Sequence, residues 1–263
     1  MKDILVTGAY GGMGHAAVEK LRNQGFRVFA LDRKVGEPYE RVIPIEADIT
    51  SEKEVISAME IVRSKTDSLC AILHFAGVYM LDSLVEMNSE DFRRIFDVNL
   101  YGVFLINKIF LPLLKKGSSV LITTSELAPL APLPFTGIYA VTKGALDKYA
   151  YSLRMELQLL GISVSVLRAG AVDTGMLNAS TDALDRFCEN TELYTCNADR
   201  FKKIVNSVES RCIHPSKIAK KAIKIIKKSH PAFSYSINRN PLLLLLNILP
   251  PKMQFWVIKQ VLR

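Results

Sequence analysis

The sequence predicts a single-domain α/β protein built on a doubly wound parallel sheet of about seven strands, with helices on both faces. The first reason is size, because 263 residues, 49% of them hydrophobic, suffice for one sizeable core. The second is alternation, since short apolar runs rich in β-branched residues take turns with longer stretches of helical period. The third is that these runs are apolar at consecutive positions, which is typical of strands covered on both faces.

Seven apolar runs carry the predicted strands. In chain order they are ILVTG, RVFALD, IPIEADI, CAILHFAG, SVLITTS, SVSVLRAG and FSYSI. The predicted helices cover 14–23, 51–65, 89–115, 140–160 and 216–228. Good capping residues, Ser51, Ser89 and Ser216, stand at the starts of three of them. In such a sheet ligands bind outside the carboxyl ends of the strands, so the functional residues are expected there.

The loop TGAYGGMG, residues 7–14, joins the first predicted strand to the first predicted helix. Glycine allows a tight turn and a close approach of the backbone to a ligand, and a helix N-terminus offers free N–H groups to a pyrophosphate. GMGHAA satisfies the relaxed G-x-G-x-x-G/A dinucleotide fingerprint, whereas the missing Gly-Lys-Ser/Thr excludes a nucleoside-triphosphate loop. A glycine-rich turn needed only for packing is the alternative for the loop taken alone.

Asp32 ends the second predicted strand, eighteen residues after Gly14, where an acid is expected to meet the adenosine ribose. Its carboxylate would accept hydrogen bonds from the 2′ and 3′ hydroxyls and repel a 2′-phosphate. NAD is therefore the favoured cofactor. NADP stays open, because Arg33 and Lys34 follow immediately and would attract such a phosphate.

Tyr139 and Lys143 are four residues apart in IYAVTKGAL, which puts both side chains on one face of a predicted helix. A lysine ammonium one turn away favours the phenolate, as does an oxidised nicotinamide ring. Lowering the tyrosine pKa by about 2 to 3 units corresponds to roughly 3 to 4 kcal/mol. Ser125 ends a predicted strand and Asn99 lies in a long predicted helix. Each feature alone has an ordinary structural explanation, but together, behind a nucleotide loop, they favour a catalytic site.

With these motifs in this order, the chain resembles the classical short-chain dehydrogenase/reductases from Ile4 to about Ile237. TGAYGGMG is similar to their T-G-x-x-x-G-x-G loop, ADIT to their adenine-contacting segment and FAG to their N-N-A-G turn. DVNLYG, TTS and YAVTK supply an Asn-Ser-Tyr-Lys tetrad. RAGAVDTGM is similar to the segment that cradles the nicotinamide. The resemblance implies a Rossmann-type fold and a nicotinamide dinucleotide cofactor.

The resemblance also implies roles for single residues. Tyr139 would be the general acid/base, Ser125 would hydrogen-bond the reacting oxygen, Lys143 would lower the tyrosine pKa and hold the nicotinamide ribose, and Asn99 would position water. No metal is implied. The implied cofactor-binding residues are Thr7, Gly8, Gly12, Met13, Gly14, Asp32, Arg33, Asp48, Ile49, Ala76, Gly77, Asn99, Tyr139, Lys143, Gly170, Val172 and Thr174.

Three departures from the family pattern concern the surroundings of these residues. His74 and Phe75 stand where the family usually has two asparagines, so different polar contacts are expected there. Ala169 replaces the proline of the usual Pro-Gly pair, which loosens that turn. The spacing from Ser125 to the tyrosine is fourteen residues, slightly long for the family, and three prolines lie between them. Thr124 is the alternative for the role of the serine.

Residues 1–240 are expected to form the catalytic domain, with 176–214 as its substrate-binding segment. This segment is helix-prone and carries no charged cluster suited to a polyanion. Its apolar side chains are expected to line or cover a pocket; they are Leu177, Leu184, Phe187, Leu193, Tyr194 and Phe201. A lipophilic alcohol or ketone, such as a hydroxysteroid or retinol, is the favoured substrate. A small polar carbonyl or sugar-like compound is the alternative, and so is a cofactor-binding regulator bound to a membrane.

The formal net charge of +8 comes from the end of the chain, since 202–263 contain 13 Lys and Arg and one acid. The basic residues are not interleaved with aromatics, so nucleic acid is not an expected partner. Four cysteines without C-x-x-C spacing indicate reduced thiols, no zinc site and a cytoplasmic protein. A homodimer or homotetramer is expected.

The tail, 241–263, combines a run of five leucines, two prolines and an amphipathic stretch with Trp256. The leucine run is too short to span a bilayer. Three interpretations of the tail stay open: it lies in a membrane interface with its cations toward anionic lipid, it caps the pocket, or it packs against another subunit. The protein is therefore expected to be cytoplasmic, with membrane association as one alternative.

Overall fold

The structure is a computed structural model that describes residues 2–209 and 211–263, without the side chains of 177–179, 208 and 209. Its core is a seven-stranded, wholly parallel sheet with the strand order β3-β2-β1-β4-β5-β6-β7. The strands are β1 Asp3–Thr7, β2 Arg27–Asp32, β3 Val42–Glu46, β4 Leu69–His74, β5 Leu114–Ser125, β6 Ser163–Ala169 and β7 Ser234–Ile237. The predicted fold class is confirmed, and each of the seven apolar runs overlaps a strand.

Helices cover both faces of the sheet. They are α1 Gly12–Arg22, α2 Glu52–Arg63, α3 Ser89–Phe96, α4 Gly102–Phe110, α5 Gly137–Leu157, α6 Gly175–Asn190, α7 Thr195–Glu209, α8 Pro215–Ile226, α9 Pro241–Ile248 and α10 Pro251–Leu262. On one face α2, α4 and α5 enclose a buried apolar cluster, and on the other face α1 and α8 enclose a second. In β1, Leu5 belongs to the first cluster, while Ile4 and Val6 belong to the second. This double coverage explains why the strands are apolar at consecutive positions.

The long helix predicted over 89–115 is interrupted at its centre. A π-helical turn, Asp97–Tyr101, separates α3 from α4. Such a turn inserts one extra residue and re-aims the side chains near it, and it occurs frequently at functional sites. Asn99 lies at the middle of this turn and is completely buried.

The predicted boundary between this helix and the fifth strand is wrong. The helix closes in a short 3₁₀ turn, Leu111–Leu113, because Pro112 lacks the N–H that a longer helix needs there. β5 then begins at Leu114 and pairs with β4 across an irregularity: Leu69 faces Leu114, but Ala71 faces Ser119. The irregular pairing takes up the additional residues and restores the register toward the end of β5.

The substrate segment and the tail pack together. Most of 176–214 forms α6 and α7, and the tail forms α9 and α10. The Nδ2 of Asn197 in α7 donates to the carbonyl oxygen of Leu262 in α10 at 2.6 Å. The Oδ1 of Asn247 in α9 accepts from the backbone N–H of Ala131 at 2.7 Å. The tail is therefore anchored on both the loop after β5 and the substrate segment.

One helical stretch among the described residues, Ser89–Leu113, is long and apolar enough to cross a membrane by length and composition alone. In this fold Ile95, Ile106 and Phe110 of that stretch are fully buried. The apolar composition of this stretch is therefore explained by its packing in the core against the sheet.

Candidate active site

A cavity of about 1260 Å³ opens where β1, β2 and β4 end. The sequence-predicted cofactor residues that line it are Gly8, Gly12, Met13, Gly14, Asp32, Arg33, Asp48, Ile49, Ala76, Gly77 and Thr174. These residues lie at or just after the ends of five different strands, β1, β2, β3, β4 and β6, and the parallel sheet brings them to one edge. The position agrees with the expectation that the ligand lies outside the carboxyl ends of the strands.

The glycine loop leaves no room for side chains beneath the cavity. Gly8 has a φ of +66°, and a Cβ there would lie 2.5 Å from the backbone nitrogen of Ala76. A Cβ on Gly14 would overlap the carbonyl oxygen of Gly8. Gly11, the residue before α1, provides no side-chain cap, so the first N–H groups of that helix meet no capping side chain. The loop and the helix N-terminus therefore fit the pyrophosphate of a dinucleotide.

The carboxylate of Asp32 is held in place at the end of β2. Its Oδ2 accepts from the backbone N–H of Tyr10 at 2.9 Å, and its Oδ1 accepts from that of Arg33 at 2.8 Å. Both oxygens keep further acceptor capacity for ribose hydroxyls, since a carboxylate oxygen accepts more than one hydrogen bond. Arg33 and Lys34 are exposed and line the same part of the cavity.

Asp48 lies after β3 at the same edge of the cavity. Its Oδ1 accepts from the backbone N–H of Thr50 at 2.8 Å and from the Thr50 hydroxyl at 2.7 Å. The carboxylate thus stabilises the turn, and both Asp48 and Ile49 border the cavity.

Ser125, Tyr139, Lys143 and Asn99 come together beneath the inner wall of this cavity. The Nζ of Lys143 lies 5.7 Å from the ring centroid of Tyr139, one turn away on α5. The side chain of Ser125, at the end of β5, is close enough to the Tyr139 hydroxyl to lower the pKa of that tyrosine. All four side chains are buried, and none of them lines the cavity.

The side-chain amide of Asn99 forms hydrogen bonds with Val78 and Thr142. Its Oδ1 accepts from the backbone N–H of Val78 at 2.8 Å, and its Nδ2 donates to the carbonyl oxygen of Val78 at 3.0 Å and to Thr142 Oγ1 at 3.2 Å. The π-helical turn therefore fastens the segment 77–79 to α5. The amide of Asn99 thus holds this segment in place, and the water-positioning role that the resemblance implies stays a prediction.

Burial dominates the electrostatics of this group. Desolvation raises the pKa of Tyr139 well above its ordinary value of 10.0, the neighbouring Tyr79 raises it further, and the hydrogen bond with Ser125 lowers it. Desolvation also lowers the pKa of Lys143 to about 8. In the protein alone, burial thus outweighs the lowering of the tyrosine pKa that the Lys143 spacing predicts.

Ser125 rather than Thr124 faces Tyr139. The hydroxyl of Thr124 donates to Asp147 Oδ1 at 3.4 Å. Asp147 in turn forms a salt bridge with Arg168 at 2.6 Å. Asp147 and Tyr139 both belong to α5 and are eight residues apart, so the Thr124 hydroxyl is engaged about two helical turns away from Tyr139.

Three predicted cofactor residues, Thr7, Gly170 and Val172, lie behind the cavity wall. Thr7 is fully buried, and its hydroxyl has no hydrogen-bond partner in the described part of the chain. Val172 pairs with Ile213 in an isolated parallel bridge. These residues shape the turns and do not border the cavity.

The substitution of His74 for the usual asparagine builds a different polar contact. The ring is fully buried and its Nε2 lies 3.0 Å from Asn107 Oδ1, while Asn107 Nδ2 donates to the Tyr149 hydroxyl at 3.3 Å. Burial lowers the pKa of His74 to about 4. Phe75 lines the cavity. The altered polar contact at this position is therefore made by a neutral, buried histidine at the end of β4.

The segment 176–214 meets the cavity through only some of the expected side chains. Phe187 lines it, whereas Leu184 and Phe201 are buried around Phe135. Leu193 is 68% exposed. Tyr194 packs on Phe135 with ring centroids 5.0 Å apart. The side chain of Leu177 lies outside the described residues.

Some cavity residues were missed by sequence reasoning. They include Tyr10, Phe75, Val78, Tyr79, Met80, Leu81, Glu86, Arg94, Met176 and Arg186. The sequence did contain a signal for Tyr79: it lies two residues after the FAG turn, so it directly follows a predicted cofactor-binding segment. Within the described ranges, no group of three or more His, Cys, Asp or Glu is placed to hold a metal ion.

Comparison with known proteins identifies the class of protein that this fold and site define. The family model for short chain dehydrogenase matches residues 2–185. The chain therefore belongs to the short-chain dehydrogenase family and is an oxidoreductase that acts on CH–OH groups. Enzymes of this family use NAD(H) or NADP(H), bind small-molecule substrates and typically form oligomers.

Similarity to individual relatives extends over 70 to 90% of the chain. It is 26% identical over 231 residues to 3-ketodihydrosphingosine reductase of Bacteroides thetaiotaomicron, covering 88% of this chain and 85% of that protein. It is 32% identical over 199 residues to estradiol 17-beta-dehydrogenase 2 of Mus musculus, covering 70% of this chain but only 51% of that protein. A short chain dehydrogenase family protein from Francisella tularensis subsp. tularensis SCHU S4 superposes with a TM-score of 0.76 at 24% identity, over 90% of this chain and 97% of that one, which shows the common fold.

Proposed function

We propose that the protein interconverts a lipophilic secondary alcohol and its ketone with NAD, using Tyr139 as the general acid/base. The meeting of the Ser125 and Tyr139 hydroxyls, with Lys143 one turn away, carries the proposal. This group lies under the wall of a cavity whose outer part fits a dinucleotide. The alternative of a cofactor-binding regulator is less well supported, because such a protein needs the glycine loop but no buried Ser-Tyr-Lys group.

A bound nicotinamide dinucleotide would supply the donor or acceptor of hydride. Tyr139 would take the proton from the substrate hydroxyl during oxidation and return it to the carbonyl oxygen during reduction. The Ser125 hydroxyl would donate a hydrogen bond to the same oxygen and steady its charge. The ammonium of Lys143 would favour the phenolate, and Asn99 would keep the backbone of Val78 in place.

The choice of NAD rests on Asp32. Two backbone N–H groups hold its carboxylate at the cavity edge, where ribose hydroxyls can donate to it and a 2′-phosphate would be repelled. The exposed cations Arg33 and Lys34 support the alternative, NADP.

The inner part of the cavity supports a lipophilic substrate. Its apolar lining comes from both the turn after β4 and α6, namely Tyr79, Met80, Leu81, Met176, Ala183 and Phe187. Two relatives are named for lipophilic substrates, 3-ketodihydrosphingosine and estradiol. Charged side chains on the lining, Glu86, Arg94 and Arg186, favour the alternative of a small polar carbonyl compound. In either case α6 and α7, within 176–214, would select the substrate, and residues 1–240 would form the catalytic domain.

The outer face of the tail supports contact with an anionic membrane surface. Ile248, Phe255 and Trp256 are 78%, 72% and 64% exposed. The cations Arg239, Lys252, Lys259 and Arg263 are exposed beside them, and 211–263 contain no acid. Such a combination suits an interfacial helix. The protein would accordingly be cytoplasmic and peripherally membrane-associated.

A homodimer or homotetramer is supported by a different surface. The π-helical turn, α4 and α5 expose a row of large apolar side chains, including Tyr101, Phe104, Val141 and Tyr151. A second copy of the chain would bury them, since exposed apolar patches of this kind mark protein interfaces.

The deciding experiment is turnover of steroids, retinoids and simple alcohols with NAD and with NADP, with Tyr139→Phe as the control. Turnover of a lipophilic alcohol with NAD, lost in the variant, is the expected result. Undiminished turnover by Tyr139→Phe would overturn the mechanism. A strong preference for NADP would overturn the role of Asp32.

A further inference from the structure

One aromatic ring, that of Tyr79, contacts both the cavity and the buried Tyr139. Tyr79 lines the cavity, whereas Tyr139 does not and is only 8% exposed. The two rings are in contact, with centroids 4.8 Å apart and planes tilted by 54°. The proposed general acid/base therefore faces the substrate cavity through the ring of Tyr79.

The backbone that carries this ring is fixed. Asn99 holds both the N–H and the carbonyl oxygen of Val78, the preceding residue, and it also binds Thr142 on α5. The segment 77–79 thus cannot leave Tyr139 without breaking buried hydrogen bonds, each of which stabilises the structure by about 1 kcal/mol. Rotation of the Tyr79 side chain is the remaining way to open the wall.

The far side of the ring touches the substrate segment. Tyr79 packs against the apolar cluster of Leu81, Phe135 and Phe187, to which α6 contributes, and also against the small cluster that contains Tyr139. It therefore lies between the reacting group and the helix that would select the substrate.

We propose that Tyr79 is a specificity-determining residue whose ring limits the size of the substituents that the reacting carbon can carry. A general acid/base has to come within about 2.6 to 3.2 Å of the oxygen that it protonates. A substrate whose oxygen reaches Tyr139 therefore contacts or displaces the Tyr79 ring. The inference rests on the proposed function, because it takes Tyr139 as the acid/base.

The first test needs neither substrate nor cofactor. The full-length protein is treated with N-acetylimidazole, and acetylation of each tyrosine is read by peptide mass spectrometry. We expect Tyr139 to be protected in the wild type while Tyr151, which is 55% exposed, is acetylated. Tyr79→Ala should raise acetylation of Tyr139 on the order of tenfold, because modification no longer requires local opening. Tyr79→Phe keeps the ring and should keep Tyr139 protected.

The second test measures selectivity. The selectivity ratio is kcat/KM for a bulky secondary alcohol divided by kcat/KM for a small one. We expect Tyr79→Ala to raise this ratio by about tenfold, because a larger pocket discriminates less against bulky substituents. Tyr79→Phe should keep the wild-type ratio. Phe187→Ala, which enlarges the same cavity away from Tyr139, is the matched control and should leave Tyr139 protected from acetylation.

The outcomes separate the two proposals. Protection of Tyr139 and an unaltered selectivity ratio in Tyr79→Ala would overturn the role of Tyr79. Absence of turnover by the wild type with either dinucleotide would overturn the proposed function, and acetylation would still decide whether Tyr79 covers Tyr139. If the alanine variant does not fold, as judged by acetylation of the half-buried Tyr149, Tyr79→Val is measured in its place with the same expected results.

Discussion

The carboxylate of Glu126 accepts a hydrogen bond from the backbone N–H of Asn240 at 2.6 Å. Glu126 directly follows Ser125, and Asn240 caps the first helix of the tail. Burial raises the pKa of this carboxyl, and Arg239 and the Asn240 N–H lower it. The end of the strand that carries the candidate serine is thereby joined to the start of the tail.

Glu126→Ala should loosen the base of the tail. The change leaves the N–H of Asn240 without its acceptor, which costs about 1 to 3 kcal/mol. Urea unfolding measures the loss, and the rate of tryptic cleavage after Arg239 reports on the tail directly. Glu126→Gln keeps an acceptor oxygen and should behave nearly as the wild type does. Equal cleavage rates in all three proteins would contradict the role of this contact.

Tyr139→Phe should lower kcat by about 100- to 10 000-fold, the range for loss of a general acid/base. The ring stays in its apolar surroundings, so stability should change by only about 1 kcal/mol. Steady-state kinetics and thermal unfolding measure the two effects, with the exposed Tyr151→Phe as the matched control. A comparable loss of activity in the control would show that the effect does not belong to the buried hydroxyl.

Asp32→Ala should shift the cofactor preference toward NADP. Removing a carboxylate that accepts ribose hydroxyls costs about 1.5 to 3 kcal/mol, so kcat/KM for NAD should fall about 10- to 100-fold. Measuring kcat/KM with both dinucleotides tests this, and Arg33→Ala should weaken only the use of NADP. A fall of equal size for both dinucleotides in Asp32→Ala would point to a structural role for the carboxylate.

His74 should make stability depend on pH between 6.5 and about 4. The pKa of His74 is about 4 in the folded protein against an ordinary value of 6.5. Between these two pH values the unfolded chain therefore binds a proton on this ring and the folded protein does not. The contribution of the neutral ring to the free energy of unfolding is fully present above pH 6.5 and is lost as the pH falls toward 4. The loss amounts to at most about 3 kcal/mol. Urea unfolding at pH 7 and pH 4.5 measures the loss. His74→Asn should show a smaller loss, and an equal loss would assign the effect to other groups.

The tail should bind anionic vesicles. Phe255→Ser with Trp256→Ser removes apolar contact, and Lys252→Gln with Lys259→Gln removes attraction to the headgroups, which contributes about 1 kcal/mol per cation. Co-sedimentation with phosphatidylserine-containing and with neutral vesicles measures both effects. Leu193→Ser, which removes an exposed apolar side chain outside the tail, is the control. Self-association without vesicle binding would assign the tail to a second copy of the chain.

The strands and the nucleotide loop could be predicted because their signals are local. Apolar runs, glycine positions and the four-residue spacing of Tyr139 and Lys143 are read within a few residues, and each reflects a backbone requirement. The boundary at Pro112 was missed because β5 begins with a polar stretch, KKGSS at 115–119, which separates Leu114 from the apolar run that predicted the strand. The choice of Ser125 over Thr124 needed the packing of the end of β5 against α5, which neighbouring residues do not reveal.

The sequence was enough to establish the fold class, the family and the residues in which alcohol chemistry is expected, since these follow from periodicity and from motifs in fixed order. Contacts between distant segments were decided only when the chain packed. Asn99 clamps Val78, Glu126 holds Asn240 and Tyr79 covers Tyr139 because the parallel sheet brings the ends of separate strands to one edge. Burial at that edge then raises the pKa of Tyr139 and lowers that of Lys143, since desolvation depends on what surrounds a group in space.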